Sequence, residues 1–311
     1  MIPALKPAED FGLAPEILPL TQRRAADFVE LTKPRIVMMV SLTTLFGYYL
    51  GVGVQGVDWL RLLVTLIGTS LAAAGTMTLN QWVERDLDAQ MLRTRNRPLP
   101  EGRVTPGDAL VFGVALTIVG VLVLAAGSTL LAAAVTAATS ITYLFAYTPA
   151  KTRTSLCTLI GAVPGALPPL TGWAAASGSL DASAWAIFAI MFVWQIPHSL
   201  AIAQMYRDDY ARADFRLLPV VDPDGTSTVR QILTYSLALV SVGMLPTLLG
   251  LAGPIYFAAS ILLGLGMLAP SVRLARSAKL ADARRVMFAS LLYLPLLFAV
   301  MAADKLTVAP W

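Results

Sequence analysis

Three side chains that could bind a hard cation recur at helical spacing at the end of the second apolar segment of the chain. They are Asn80, Glu84 and Asp88. Because an α-helix has about 3.6 residues per turn, their oxygens should lie along one helical face. Mg²⁺ prefers oxygen ligands, takes only one or two carboxylates and fills its other positions with water and substrate phosphates. The spacing therefore predicts half of a site for magnesium and a diphosphate.

A second acidic cluster, Asp208 and Asp209, follows the sixth apolar segment. Each cluster ends an even-numbered segment, so the two could face each other across a helical bundle. Such charges are often only solvated loop residues, but charges near a membrane core are costly and are rarely kept in groups without a partner. We therefore predict a site for two cations that bridge one diphosphate.

Basic side chains near both clusters could neutralise the remaining charge of a departing diphosphate. Arg93, Arg95 and Arg97 follow the first cluster, and Lys151 and Arg153 lie in the next polar loop. Positive charge in cytoplasmic loops is also expected from membrane topology alone. Each of these residues therefore has two explanations.

The chain has one histidine, His198, which follows Pro197. A proline removes a backbone donor and can free a nearby carbonyl, so a structural histidine that is satisfied by this carbonyl is one interpretation. A contact to a porphyrin, or to its iron, is the other. Pro164, Pro168 and Pro169 are predicted to break the fifth segment and to shape a cavity.

The elements that must position these residues are apolar helices. The 311 residues are 57% hydrophobic and 14% charged, which a water-soluble core cannot explain. The prediction is an all-α, polytopic membrane protein with nine transmembrane helices, each able to cross a core of roughly 30 Å. The predicted segments are 36–54, 60–82, 107–126, 128–147, 155–177, 182–205, 230–250, 255–272 and 286–303.

The basic residues predict the orientation in the membrane. If the N-terminus and the four polar loops share one side, only Arg61 and Lys305 of the 23 Lys and Arg residues lie opposite. The N-terminus should then be cytoplasmic and, with an odd number of spans, the C-terminus outside. Residues 1–34 are predicted to be a cytoplasmic segment and 35–305 the membrane domain. The net charge of +4 follows from this topology, so no nucleic-acid partner is expected.

The chain contains seven motifs in a particular order and spacing. They are Thr32-Lys33-Pro34-Arg35, Asn80 through Asp88, Met91 through Pro100, Tyr147-Thr148-Pro149, Gly161 through Pro169, Trp194 through His198, and Tyr206 through Tyr210. Together they resemble the UbiA-type intramembrane prenyltransferase superfamily and, within it, the heme-linked subgroup. The similarity runs from about residue 28 to at least residue 221.

The resemblance implies a bundle around a central cavity that two acidic loops close. It implies transfer of a farnesyl group from farnesyl diphosphate to the vinyl group of heme B, with addition of water, to give heme O and diphosphate for heme-copper oxidase assembly. The implied catalytic residues are Asn80, Glu84, Asp88, Asp208 and Asp209, of which the four acids would hold Mg²⁺. The implied substrate-binding residues are Arg93, Arg97, Lys151, Arg153, His198 and Tyr206. The lipid bilayer of the bacterial inner membrane and heme A synthase are the other expected partners.

Three positions depart from the usual pattern of these proteins. Glu84 stands where Asp is more usual, Cys157 where the heme-linked members usually have Asn, and Asp214 where Gly is usual. Glu84 keeps the carboxylate group but carries it on a longer side chain. The third bears on how the 206–219 loop folds, since Gly permits backbone angles that Asp tolerates less well.

Three other functions remain open from the sequence. A prenyltransferase for an aromatic acid or quinone precursor would use the same metal site. A secondary transporter would more often place its charges near the bilayer midplane and show an inverted repeat. A purely structural subunit would keep its role without the carboxylates.

Overall fold

The computed structural model describes residues 20–53, 56–277 and 279–306, and this part of the chain is almost entirely helical. A π-helical turn, Thr142–Tyr147, joins the fifth and sixth helices. The helices are α1 (Leu20–Leu31), α2 (Pro34–Gly51), α3 (Trp59–Asp88), α4 (Pro106–Gly127), α5 (Leu130–Ile141), α6 (Thr148–Ala150), α7 (Cys157–Ala166), α8 (Pro168–Ser177), α9 (Ala182–Met205), α10 (Arg207–Arg212), α11 (Leu218–Val221), α12 (Thr226–Gly243), α13 (Leu245–Leu248), α14 (Pro254–Ser277) and α15 (Leu280–Ala303). The prediction of an all-α protein is confirmed. The predicted outside C-terminus, Trp311, and most of the 1–34 segment lie outside the described residues.

Helices lie at all of the predicted apolar segments, and within the described ranges seven are long and apolar enough to cross a membrane. These seven are Trp59–Asp88, Pro106–Gly127, Leu130–Ala150, Ala182–Met205, Thr226–Leu248, Pro254–Ser277 and Leu280–Ala303. The chain is therefore a polytopic membrane protein. Of the other two segments, α2 has 18 residues and begins with Pro34 and Arg35, and the fifth is divided into α7 and α8. The count of nine spans stays a prediction.

Two boundaries differ from the sequence prediction in ways that matter for the site. Helix α3 continues six residues beyond the predicted end at residue 82, through Asp88, because its polar last turns are held by tertiary contacts. Pro164 lies inside α7, and the fifth segment is interrupted instead at Leu167. Pro168 then begins α8, where a proline is tolerated because the first helical N–H groups need no intrahelical partner.

Small residues allow close contact between the helix backbones. A Cβ atom built on Gly47 of α2 would lie 1.9 Å from the carbonyl oxygen of Pro169, and one on Gly172 of α8 would lie 1.9 Å from that of Thr44. Gly120 of α4 approaches Ala72 of α3 in the same way. Close approach through small residues is the usual means of helix association in membranes.

Helix α9 occupies the middle of the bundle, where it packs against α7, α12 and α15. Its buried side chains, with those of α12, α14 and α15, form the largest apolar core. The first acidic cluster lies at the end of α3 and the second in α10, directly after α9. We call this end of the bundle the polar end. At the opposite end, Lys305 Nζ donates to the carbonyl oxygens of Tyr49 and Val52, both at 2.7 Å, so the chain after α15 is tied to the end of α2.

Candidate active site at the polar end of the bundle

Two carboxylates on the last turns of α3 are buried and paired with basic side chains. Lys151 Nζ donates to Glu84 Oε1 at 2.7 Å, and Arg97 Nη1 donates to Asp88 Oδ2 at 2.6 Å. The two acids lie four residues apart, so both face the same side of the helix. Their partners come from two separate loops, which therefore converge on α3.

Asn80, one turn earlier on α3, completes this face. Its Oδ1 accepts from Lys33 Nζ at 2.9 Å, and its Nδ2 donates to Thr148 Oγ1 at 3.2 Å. Burial, with the positive charge of Arg97 in second place, lowers the pKa of Lys33 to about 7. We did not predict a role for Lys33. The signal available was its position directly before Pro34, which places it at the start of the first apolar segment.

The carboxylate of Asp88 is also suited to bind a cation. Its second oxygen, Oδ1, is buried and has no hydrogen-bond partner among the described residues. An unsatisfied buried acceptor is costly, at about 1 to 3 kcal/mol and more when charged. An oxygen of this kind beside a second carboxylate suits the small number of protein ligands that Mg²⁺ takes.

The four predicted metal ligands do not form one cluster. Within the described ranges, no three carboxylate, imidazole or thiol groups come close enough together to hold a metal ion. Glu84 and Asp88 are drawn to basic partners, and Asp209 is drawn to backbone amides. Asp208 is exposed.

Lys151 is held by the π-helical turn as well as by its ion pair. Its Nζ lies 4.6 Å from the centre of the Tyr147 ring, within the range of a cation–π contact. Burial alone would lower the pKa of Lys151, but the neighbouring Tyr147 and Glu84 oxygens raise it above its usual value. Lys151 therefore stays charged beside Glu84. Turns of π-helix are rare and are frequent at functional sites, but nothing in the sequence marks this one.

Asp209 joins the two acidic loops to each other. Its Oδ1 accepts from the backbone N–H of Leu92 at 2.8 Å and from Arg212 Nη1 at 3.0 Å, and its Oδ2 accepts from the N–H of Arg93 at 3.4 Å. Residues 89–105, which carry Arg93 and Arg97, are thus fastened to α10. This positioning contact was not anticipated, because we predicted Asp209 only as a metal ligand.

We expect Asp209→Asn to loosen the 89–105 loop. Hydrogen bonds to a charged acceptor contribute about 1.5 to 3 kcal/mol each, so backbone amides at Leu92 and Arg93 should exchange at least tenfold faster. Hydrogen–deuterium exchange in detergent measures this directly. Asp208→Asn is the matched control, since Asp208 is exposed. Equal exchange in both variants would contradict the contact.

A surface cavity of about 540 Å³ opens beside these loops. Arg93, Asp208, Asp209 and Tyr206 are among its lining residues. The Arg93 guanidinium lies 5.2 Å from the centre of the Tyr206 ring and 5.4 Å from that of Tyr210. Both aromatic contacts keep Arg93 at the cavity wall, where it can contact an anionic ligand.

The remaining predicted residues lie apart from this cluster. Arg153 and Arg95 are exposed. His198 lies seven residues before the end of α9, which is about 10 Å along the helix axis. There it is half-buried, and its Nδ1 lies 2.7 Å from Ser290 Oγ. Cys157 is buried at the start of α7.

The unusual Asp214 has a left-handed backbone, with φ of 53°. Asp tolerates this region better than most residues, but Gly adopts it without steric cost. We expect Asp214→Gly to keep or raise stability by up to about 1 kcal/mol and Asp214→Val to lower it by about 1 to 2 kcal/mol. Thermal unfolding in detergent tests whether the glycine variant is more stable than the valine variant. A valine variant as stable as the glycine variant would contradict it.

Comparisons with known proteins bear on what this arrangement does. The sequence model of the UbiA prenyltransferase family matches residues 40–292. The chain is 49% identical over 287 residues to the protoheme IX farnesyltransferase of Solibacter usitatus, with 90% of this chain and 98% of that protein covered.

Solved structures share the fold. A digeranylgeranylglyceryl phosphate synthase structure superposes with a TM-score of 0.76 at 14% identity, covering 90% of this chain and 98% of its own. A UbiA homolog from Archaeoglobus fulgidus bound to GPP and Mg²⁺ gives 0.62 at 15% identity, covering 89% and 99%. At this level of identity, the likeness concerns the arrangement of helices.

Proposed function

The chain belongs to the UbiA prenyltransferase family, and on that premise we propose that it transfers a farnesyl group from farnesyl diphosphate to a vinyl group of protoheme IX, which is heme B. Water is added in the same reaction, and the products are heme O and diphosphate. The observation that carries this proposal is the 49% identity, over nearly the full length of both chains, to a protein named protoheme IX farnesyltransferase.

The polar end supports a diphosphate site. Glu84 and Asp88 are buried carboxylates beside two cationic side chains, Lys151 and Arg97. If Glu84 and Asp88 held Mg²⁺, Lys151 and Arg97 would be free to contact phosphate oxygens, for which Arg offers a planar pair of donors. We propose Glu84 and Asp88 as metal ligands, with Asp208 and Asp209 added when the second acidic loop closes. The A. fulgidus homolog bound to GPP and Mg²⁺ supports this use of the fold.

Mg²⁺, when bound, would neutralise the charge that develops on the departing diphosphate. This chain's own residues contribute by placement. Lys151 and Arg97 hold positive charge where the leaving group becomes more negative, which is the kind of preorganised electrostatic stabilisation that contributes most to catalysis. The apolar bundle keeps bulk water from the allylic cation until the vinyl carbon has reacted.

The proposal is tested with purified protein, heme B, farnesyl diphosphate and Mg²⁺. Mass spectrometry of the extracted heme should show the addition of one farnesyl group and one water. The product should disappear with EDTA. Prenylation of 4-hydroxybenzoate or a related aromatic instead, with heme unchanged, would keep the family chemistry and overturn the acceptor.

We also propose that the membrane domain spans residues 35–305 and that its polar end faces the cytoplasm of a bacterial inner membrane. Heme A synthase would then use the product. The excess of Lys and Arg in the loops at this end supports the orientation. A cysteine introduced at Asp86, which is 83% exposed, should react with an impermeant maleimide only from the cytoplasmic side. Labelling from outside intact cells would contradict the proposed orientation.

A further inference from the structure

Ser290 of α15 determines which nitrogen of His198 carries a proton. Ser290 Oγ lies 2.6 Å from the carbonyl oxygen of Met287 and 2.7 Å from His198 Nδ1. The carbonyl can only accept, so the single hydroxyl hydrogen must be donated to Met287. The hydroxyl oxygen then accepts from His198, which places the imidazole proton on Nδ1. In a neutral ring, the lone pair of Nε2 is consequently free.

Trp194 holds the same imidazole from a second direction. The rings of Trp194 and His198 are stacked, with centres 4.9 Å apart and planes 16° from parallel. Trp194 Nε1 also donates to the carbonyl oxygen of Ser290 at 2.8 Å. Ser290 therefore fixes both the proton on the histidine and the indole against which the histidine stacks. Ser290 and Trp194 together therefore set the orientation of the imidazole ring.

His198 lies in a part of α9 that other helices cover. From residue 186 to residue 205, no position of α9 is exposed, so neighbouring helices surround this part of the helix. His198 itself is only half-buried, so part of its side chain remains accessible. Among the residues that the structure describes, only the Nδ1 of this ring has a hydrogen-bond partner. A neutral imidazole with a fixed tautomer and a free Nε2 is the form in which histidine ligates metals.

We propose that Ser290 is a positioning residue that presents Nε2 of His198 to the iron of the heme substrate. The inference rests on the proposed function, since heme is the acceptor there. Carboxylates or carbonyls that accept from the other ring nitrogen serve this purpose at metal sites, and here a serine hydroxyl occupies that place. The ligand would hold the porphyrin by its iron and leave its vinyl edge available for reaction.

The test uses the full-length protein in detergent with ferric heme B alone, so that binding is separated from transfer. Absorption and electron paramagnetic resonance spectra should show a histidine-ligated heme in the wild-type protein. That signature should be absent in His198→Ala. Ser290→Ala should weaken heme binding by about 10- to 100-fold, the usual effect of removing such a partner. Ser290→Thr keeps the hydroxyl and should retain the wild-type spectrum.

Ser271→Ala is the matched control. Ser271 is also a buried serine that bonds across helices, to Ser236 Oγ at 2.8 Å, but it does not contact His198. It should leave the heme spectrum unchanged. Identical spectra for the wild-type protein and His198→Ala would overturn the ligation. Identical affinity and spectrum for Ser290→Ala and the wild-type protein would overturn the role of Ser290.

Two further measurements keep the outcome interpretable. If Ser290→Ala does not fold, resonance Raman spectra of ferrous wild-type protein still report the iron–histidine bond and its sensitivity to the Nδ1 hydrogen bond, and lack of that band would overturn the proposal. Farnesyl transfer is measured separately by mass spectrometry. Histidine-ligated heme without any farnesylated product would overturn the proposed function while supporting the ligation. Farnesylated product without histidine-ligated heme would overturn the ligation while supporting the proposed function.

Discussion

Asp88→Asn should lower kcat/KM for farnesyl transfer by about 100- to 1,000-fold, the effect of removing one preorganised electrostatic contact from a transition state. Asp88 is 1% exposed, pairs one oxygen with Arg97 and leaves the other without a partner among the described residues. Asn keeps the size and one oxygen but loses the charge. The rate should be measured with saturating heme and varied farnesyl diphosphate, at several Mg²⁺ concentrations.

Asp86→Asn is the control for this effect. Asp86 lies on the same last turn of α3 but is 83% exposed, with Arg85 at 3.7 Å as its basic neighbour. The Asp86→Asn substitution removes the same charge from the same end of the bundle, so a long-range electrostatic effect would appear in both variants. We expect Asp86→Asn to keep nearly full activity. Equal losses in the two variants would show that Asp88 acts only through the general charge of this end.

Lys151→Met should abolish measurable transfer and also destabilise the protein. Lys151 and Glu84 form a pair in which the side chains are 13% and 6% exposed. Removal of one partner from a buried pair costs about 3 to 5 kcal/mol, because the other charge is left without compensation. Thermal unfolding in detergent and the farnesyl-transfer assay measure the two effects separately. Lys279→Met, which changes an exposed lysine at the same end, should change neither.

The double variant Glu84→Gln with Lys151→Met separates folding from catalysis. It removes both charges, so most of the lost stability should return. Activity should not return, because neither the carboxylate nor the ammonium is restored. Recovery of activity together with stability would mean that the pair has a structural role only.

Apolar length and composition were sufficient to predict most of this fold. The breaks at Gly127 and before Pro254 fall where the sequence predicts them, since glycine and proline act locally. The apolar segment predicted for α3 ends at residue 82, and only the spacing of Asn80, Glu84 and Asp88 indicates that the helix continues. The contacts of these polar last turns with distant side chains such as Lys151 and Arg97 were not predicted. Local pattern carries no information about such contacts.

For the candidate site too, local spacing predicts some features, and contacts between distant residues are not predicted. The helical spacing predicts correctly that Asn80, Glu84 and Asp88 share one face, and all three are buried there. The contact of Asp209 with the backbone at Leu92 joins residues 117 positions apart, and no pattern within either loop reveals it. Ser290 was missed for a similar reason, because its partner His198 lies 92 positions away.

The partners of the two α3 carboxylates become available at different times during synthesis. Asp88 and Arg97 are nine residues apart, so this pair can form as soon as the second span has left the ribosome. Glu84 must wait for Lys151, which is 67 residues later, after two more spans have been made. A carboxylate without a partner is costly in hydrocarbon, so the end of α3 should stay at the water interface until then. The second span would therefore reach its final depth only when the fourth is in place, which makes the order of insertion part of how the site is assembled.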